Sequence, residues 1–237
     1  MVDSIDSVEP VELVTVHVFG VPGRRIPSAL GRMALDHRAV RRVPGLAFAR
    51  LLGTGNGTSF TIGSSDFRHW AIVASWRSTA AADDFEQSPV VRSWDRIAQE
   101  RLRVRLAPLT SRGRWGGREP FGSPPPRRVD GPVASITRAR IAVTKVPTFW
   151  RAVPPVAEDL ARVDGVRLAI GLGEAPIGFQ GTFSIWSSAQ AVTEFAHRRP
   201  AHQLAVRRTS DERWYAEELF ARFEVLGIDG TYAGRTP

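Results

Sequence analysis

The stretch VPGLAFARLLG at residues 43–53 occurs a second time, in altered form, as VDGVRLAIGLG at residues 163–173. The two copies align at an offset of 120 residues, so Gly53 corresponds to Gly173. Further matches follow in the same order, at an offset of 110 for Trp76–Trp186 and Phe85–Phe195, and of 120 for Trp94–Trp214. An ordered series with consistent offsets predicts a duplicated domain.

Each copy has the hydrophobic pattern of β-α-β-β-α-β. In the first copy the apolar or alternating stretches typical of strands are residues 13–19, 46–52, 70–76 and 101–109. Helical spacing connects Ile26 to Val40, and Ser78 is suited to cap a second helical stretch that carries Phe85. The second copy repeats the order over residues 134–143, 149–163, 166–172, 179–186 and 220–228.

This order of elements is that of the ferredoxin-like fold, a four-stranded antiparallel sheet with helices on one face. We therefore predict an α+β protein made of two tandem ferredoxin-like repeats. Their bare sheet faces would pack together as a dimeric α+β-barrel-type domain within one chain. Such a barrel would enclose either a core or a ligand cavity.

The predicted domain boundaries follow from this repeat. Residues 1–108 form the first half, residues 109–132 a connector rich in glycine, proline and arginine, and residues 133–237 a second half with a ligand-bearing insertion. The connector also contains Trp115 and Phe121, which a simple spacer does not need. Its first part is equally suited to fold over a pocket or to remain a solvated linker.

Composition excludes several classes of protein. The chain has no cysteine, which excludes disulfides, a cysteine nucleophile and cysteine-ligated haem. No apolar run of about 18 residues is present, and the first residues lack a secretory pattern, so we expect a cytoplasmic protein. The net charge of +8 comes from scattered arginines without a nucleic-acid-binding motif. We expect no nucleic-acid partner and at most peripheral membrane contact, by loose association.

Histidine and arginine supply the candidate chemistry, since no HExxH, GxSxG, P-loop or GxGxxG motif is present. His202 lies in an insertion that only the second half carries. It is either a surface histidine on a basic helix or a haem ligand whose neighbouring arginines pair with propionates. Arg138 shares strand parity with Ile136, so it faces either a cavity or solvent. Glu174 and Gln180 flank a turn and leave both interpretations open.

Several segments together resemble the spheroidene monooxygenase family of carotenoid biosynthesis. They are residues 110–117, 136–141, 149–154, 170–176, 180–186 and 214–223. The resemblance covers most of the chain, is strongest from residue 134 to 226, and weakens before residue 44. It implies a haem-containing oxygenase that places oxygen on a carotenoid carbon. It also implies a barrel architecture shared in outline with aldoxime dehydratases and chlorite dismutases.

The resemblance also implies functional residues. His202 falls on the matching segment and is expected to be the axial ligand of the haem b iron. Arg138, Glu174 and Gln180 match as candidate catalytic residues, and Arg112, Trp115 and Arg207 are candidate cofactor-binding residues. The implied partners are an apolar small-molecule substrate, dioxygen or peroxide, and a possible electron donor protein. The oligomeric state is left open.

Two other functions fit the same residues. One is a haem-dependent dehydratase or nitrogen-transforming enzyme that acts on a small substrate. The other is a non-enzymatic, duplicated ligand-binding module that takes up a hydrophobic ligand, because a fold alone does not fix chemistry.

Overall fold

Eight antiparallel strands close into a barrel in the order β1-β3-β2-β6-β7-β5-β8-β4, with the helices outside it. The computed structural model describes residues 10–55, 65–141, 143–145, 163–174, 181–198 and 214–237. The strands are β1 (Leu13–Gly20), β2 (Leu46–Gly55), β3 (Ser65–Trp76), β4 (Glu100–Gly113), β5 (Val133–Ile141), β6 (Val166–Gly173), β7 (Gly181–Trp186) and β8 (Tyr215–Gly230). The helices are α1 (Ile26–Val40), α2 (Thr79–Glu86), α3 (Pro89–Asp95) and α4 (Ala189–Arg198). The expected α+β class is confirmed.

The two halves pair their strands in the same order, β4-β1-β3-β2 and β8-β5-β7-β6. They meet along two seams. The long seam joins β4 to β8, from Leu102 opposite Gly230 to Gly113 opposite Leu219. The short seam joins β2 to β6 through three residue pairs, which begin with Gly53 opposite Gly173. Strand β4 continues into the stretch that the sequence assigned to the connector.

The barrel interior is a packed apolar core. Residues of alternating parity face inward, such as Val14, Val16 and Val18 on β1, and these pack in one cluster with Ile136 and Phe183 from the second half. The sequence left open whether the enclosed space is a core or a cavity. In the described part of the chain, side chains fill it.

The first part of the connector folds onto one end of this core. Trp115 and Phe121 are both buried. The ring of Trp115 lies 5.4 Å from that of Phe48, and the ring of Phe121 lies 5.0 Å from that of Phe223. Of the two alternatives for this segment, the structure therefore shows the folded one.

The outer face of the first half carries its own apolar core, beneath α1, α2 and α3. The Ser78 and Ser88 hydroxyls cap α2 and α3 by accepting hydrogen bonds from backbone N–H groups. Phe85 packs against Trp76 with 5.0 Å between ring centroids. None of the helices in the described ranges has both the length and the apolar character needed to cross a membrane.

A turn after β4 fastens that strand to the beginning of β8. The turn spans residues 115–118 and is closed by a bridge between its first and last residues. The backbone N–H groups of Gly116 and Gly117 donate to the two carboxylate oxygens of Glu217, at 2.9 and 2.7 Å. We call this arrangement the Glu217 clasp.

A matching turn after β8 fastens that strand to the beginning of β4. It spans residues 232–235 and is closed by the same kind of bridge. The N–H groups of Ala233 and Gly234 donate to Glu100 at 3.1 and 2.7 Å, and the Thr231 hydroxyl donates to it at 2.8 Å. This Glu100 clasp closes the other end of the β4–β8 ribbon.

His69 links the Glu100 clasp to β3. Its Nδ1 lies 2.6 Å from Asp66, its Nε2 lies 3.2 Å from Glu100, and its ring centroid lies 4.7 Å from that of Tyr232. Burial alone would lower the pKa of His69, but the two carboxylates outweigh burial and raise it. Burial likewise opposes ionisation of Asp66 and Glu100, yet their hydrogen bonds lower the pKa of both.

We expect the Glu100 clasp to make stability depend on pH in a defined direction. Since the pKa of His69 is raised on folding, its contribution is fully present below the unfolded value and is lost as pH rises through the folded value. The free energy of unfolding of the wild type, measured with urea, should therefore fall as pH rises above about 6.5. His69→Gln should flatten that loss, and an unchanged slope in the variant would contradict the assignment.

Gly230 should not tolerate a side chain. Its φ is +86°, and an added Cβ would overlap the Arg101 carbonyl oxygen. We expect Gly230→Ala to lower the free energy of unfolding by at least about 1–3 kcal/mol. Gly227→Ala on the same strand is the control, because nothing lies within 4 Å of its added Cβ. Equal urea midpoints for the two variants would refute this interpretation.

Candidate functional site

Four charged side chains and a tryptophan gather at the end of the barrel that carries the Glu217 clasp. They come from β2, the turn after β4, β5, the end of β6 and β8. We call this group the barrel-end cluster, and its members are Arg50, Trp115, Arg138, Glu174 and Glu217.

Arg138 is the centre of the barrel-end cluster. It faces inward on β5, on the same side as Ile136, and its side chain is only 5% exposed. Strand parity alone had left open whether that side faces a cavity or solvent. The guanidinium forms an ion pair with Glu217, lies 3.5 Å from Glu174 and stands over the ring of Trp115 at 5.9 Å. Among the residues that the structure describes, its Nε has no hydrogen-bond partner. A buried guanidinium needs such paired carboxylates, because desolvation without them would be costly.

Glu217 is held as a carboxylate. Burial alone would raise its pKa, but the N–H groups of Gly117 and Gly116 and the charge of Arg138 outweigh burial and lower it. The negative charge that Arg138 needs is therefore fixed in place by the backbone of the turn.

Glu174 joins the two halves across the short seam. It accepts a hydrogen bond from the Trp115 indole and lies 3.7 Å from Arg50 on β2. It is 40% exposed, the most accessible carboxylate of the barrel-end cluster. The guanidinium of Arg50 also lies over the Phe48 ring at 4.4 Å.

Positive charge accumulates around Arg50. Burial lowers the pKa of Arg50, Glu174 raises it, and repulsion from Arg41, Arg138 and Arg118 lowers it further. This end of the barrel is therefore suited to hold a carboxylate, and Glu174 is the carboxylate that holds this position in the structure.

The structure brings three of the predicted site residues together, namely Trp115, Arg138 and Glu174. Arg112 lies apart from them, exposed on β4, with its guanidinium 4.8 Å from the Phe220 ring centroid. Gln180, His202 and Arg207 lie outside the described residues.

Sequence reasoning missed Arg50 and Glu217. Both occupy inward positions of a strand, Arg50 between Phe48 and Leu52, and Glu217 two residues before Leu219. The parity argument that singled out Arg138 would also have found them. A charge at an inward position of an apolar strand is the pattern they share.

A second candidate surface lies on the outer side of β5, β6 and β7. We call it the small-residue face and define it by Ser135, Thr137, Ala139, Ala169 and Thr182, all of them partly exposed. The hydroxyls of Thr137 and Thr182 lie 2.6 Å apart and satisfy one another. On β5, successive side chains point to opposite sides, so the small-residue face and Arg138 lie on opposite sides of one strand.

The corresponding surface of the first half is filled. Its matching residues are Thr15, His17, Phe19, Ala49 and Ile72, and all five are buried. His17 stacks on Phe19 at 6.3 Å and meets Phe85 edge-on at 5.6 Å. Burial, and then the charges of Arg101 and Arg103, lowers the pKa of His17, so it packs there as a neutral ring.

The small-residue face fits a flat apolar group. Its side chains are short, its facing threonine hydroxyls are already paired, and Trp186 borders it with Phe195 of α4 at 5.4 Å between rings. Among the residues that the structure describes, no three histidine, aspartate or glutamate side chains are placed to hold a metal ion by themselves.

Comparison with known proteins identifies the family. No family model matches the chain. It is 37% identical over 218 residues to a protein of Rhodobacter capsulatus named spheroidene monooxygenase, a match that covers 90% of this chain and 89% of that protein. A spheroidene monooxygenase of Rubrivivax gelatinosus is 41% identical over 194 residues, or 81% of this chain and 73% of that protein.

The fold is also found in a solved structure. The crystal structure of an aldoxime dehydratase superposes with a TM-score of 0.57 at 12% identity, over 95% of this chain and 88% of that chain. At this identity the match shows the fold alone. The sequence identity to the two spheroidene monooxygenases is much higher, and for one of them it extends over 89% of the protein. The chain therefore belongs to the spheroidene monooxygenase family.

Proposed function

We propose that this chain is a haem-dependent monooxygenase that inserts oxygen into an apolar, carotenoid-like substrate. The observation that carries the proposal is the 37% identity to a spheroidene monooxygenase over 90% of the chain. A carotenoid is a long polyene with few polar groups. Burial of apolar surface would therefore supply most of its binding energy.

The proposed reaction defines which partners are needed. When dioxygen is the oxidant, one oxygen atom enters a carbon–hydrogen bond of the substrate and the other leaves as water, so an electron donor must supply two electrons and two protons. Hydrogen peroxide would deliver the same oxygen atom without that donor. Haem b, when bound, supplies the activation of either oxidant.

We place the haem against the small-residue face and assign its axial ligation to His202. The partly exposed, short side chains there support this placement, since the equivalent surface of the first half is occupied by Phe19, Ile72 and their neighbours. Arg207 is the proposed partner of a propionate, and Gln180 remains a predicted catalytic residue.

The roles proposed for the barrel-end cluster are positional. Arg138 points into the barrel and is held by Glu217 and Glu174, so it would fix β5 rather than touch a ligand on the other side of that strand. Trp115 would act in the same way through Glu174. Arg112, exposed on β4, is retained as a predicted cofactor-binding residue.

We also propose that the barrel is built from two tandem ferredoxin-like repeats. Three observations support this: both halves pair their strands in the same order, Gly53 and Gly173 face one another across the short seam, and the two clasps match. Duplication explains why one half can keep a filled outer face while the other presents a surface for a ligand.

The first test of the proposed function is haem binding by His202→Ala. We expect the wild type to take up hemin and to show a Soret band. The variant should lose more than about 100-fold in hemin affinity, because removal of an iron ligand should cost more binding free energy than removal of a residue that only contacts the ligand. The measurement is a hemin titration followed by absorbance. His37→Ala, on α1 of the first half, is the control. Equal affinities in all three proteins would remove His202 as the ligand.

The second test fills the small-residue face with side chains of the first half. Ala139→Phe with Thr182→Ile copies Phe19 and Ile72, and we expect hemin uptake to fail while the thermal unfolding temperature is kept or raised. The control is Ala139→Ser with Thr182→Ser, which keeps the side chains of the small-residue face short. If the bulky variant binds hemin like the wild type, the cofactor does not rest on this face.

A further inference from the structure

Helix α1 exposes apolar side chains on its outer surface. Leu35 is 76% exposed and Leu30 is 41% exposed, and they are two of the few large apolar side chains that the described residues leave in contact with water. The inner side of α1 packs in the outer core of the first half through Ala29 and Val40. The exposed leucines are therefore not needed to attach the helix.

Arginines flank this apolar surface at both ends of the helix. Arg24 and Arg25 precede α1, and Arg38, Arg41 and Arg42 lie in its last turn or directly after it. All five are exposed. Within the described residues, none of the five has a carboxylate within ion-pair distance. On β4, by contrast, the arginines are paired with carboxylates of α2 and α3.

The exposed residues of α1 form one face. At about 100° per residue, Pro27, Gly31, Ala34 and Arg38 lie along one line of the helix. Leu30 and Leu35 lie on either side of that line.

This face carries no exposed acidic residue. Asp36, the acidic residue of α1, is buried and bonded to Arg32 at 3.4 Å. The neighbouring helix α3 exposes Arg92 and Asp95, and Arg96 directly after it is also exposed, so these three residues add a further net positive charge.

We propose that the outer face of α1 docks on the surface of an anionic lipid bilayer, with the helix axis parallel to that surface. Leu30 and Leu35 insert at the level of the lipid headgroups, and the flanking arginines bind lipid phosphates. Charge complementarity argues for this partner. A second copy of the chain would place arginines against arginines, and an acidic protein would leave Leu35 without an apolar environment.

The proposal does not depend on the haem or on the substrate. Vesicle binding is measured on the protein without added hemin, so its failure leaves the proposed oxygenase function intact. The reverse also holds, since a protein that takes up no hemin can still bind lipid.

The test is co-sedimentation with unilamellar vesicles, made either of phosphatidylcholine alone or of equal parts phosphatidylcholine and phosphatidylglycerol. We expect binding to the anionic vesicles that weakens with added salt, and little binding to the neutral ones. Arg38→Gln with Arg42→Gln should reduce the partition coefficient by about 30-fold. Leu35→Ser should reduce it as well, at any salt concentration.

Two matched controls make the result specific to α1. Arg114→Gln with Arg128→Gln removes the same charge from exposed positions around the connector, and Leu226→Ser removes a side chain that is 52% exposed on β8. Both controls should bind like the wild type. Equal loss in variants and controls, absence of vesicle binding, or binding to immobilised polyglutamate but not to vesicles would each overturn the proposal.

Discussion

Closure of the barrel requires two seams between its halves, and these seams are unequal. The β4–β8 seam is long and is fastened at both ends by a carboxylate that accepts backbone N–H groups. The β2–β6 seam has three residue pairs. There the ion pair of Arg50 with Glu174 adds a side-chain link, and Arg138 connects the same carboxylate to the long seam through Glu217. The barrel-end cluster therefore compensates for few backbone hydrogen bonds at the short seam.

Strand β5 separates two environments of opposite character. Its inward side chains are Ala134 and Ile136, which lie in the apolar core, and Arg138, whose guanidinium is buried; its outward side chains form part of the small-residue face. A site on that face gains rigidity because the residues behind it cannot move without breaking paired charges. The proposed ligand surface and the stabilising interior therefore use different side chains of the same strand.

Sequence reasoning predicted the α+β class, the order of the strands along the chain and the shared side of Ile136 and Arg138, because these follow from periodicity and from the repeat. It left open whether that side faces the interior or solvent. It did not reach the partners of Arg138. The contacts of Glu217 with the turn after β4 join residues 100 and 101 positions apart, and a pattern confined to one strand carries no information about such distances. The core-or-cavity alternative could not be decided either, since it depends on whether opposing side chains meet.

The position of β8 in the barrel has a consequence for synthesis on the ribosome. β4 is complete about a hundred residues before β8 begins, and β8 is its partner on one side. At about 5–20 residues per second, the growing chain would carry an incomplete sheet for roughly 5–20 s. The outer side of β4 carries Arg101, Arg103 and Arg105, and charge along a free edge discourages pairing with other nascent chains. The arginines that bind carboxylates of the outer helices would thus also protect the unfinished sheet against aggregation.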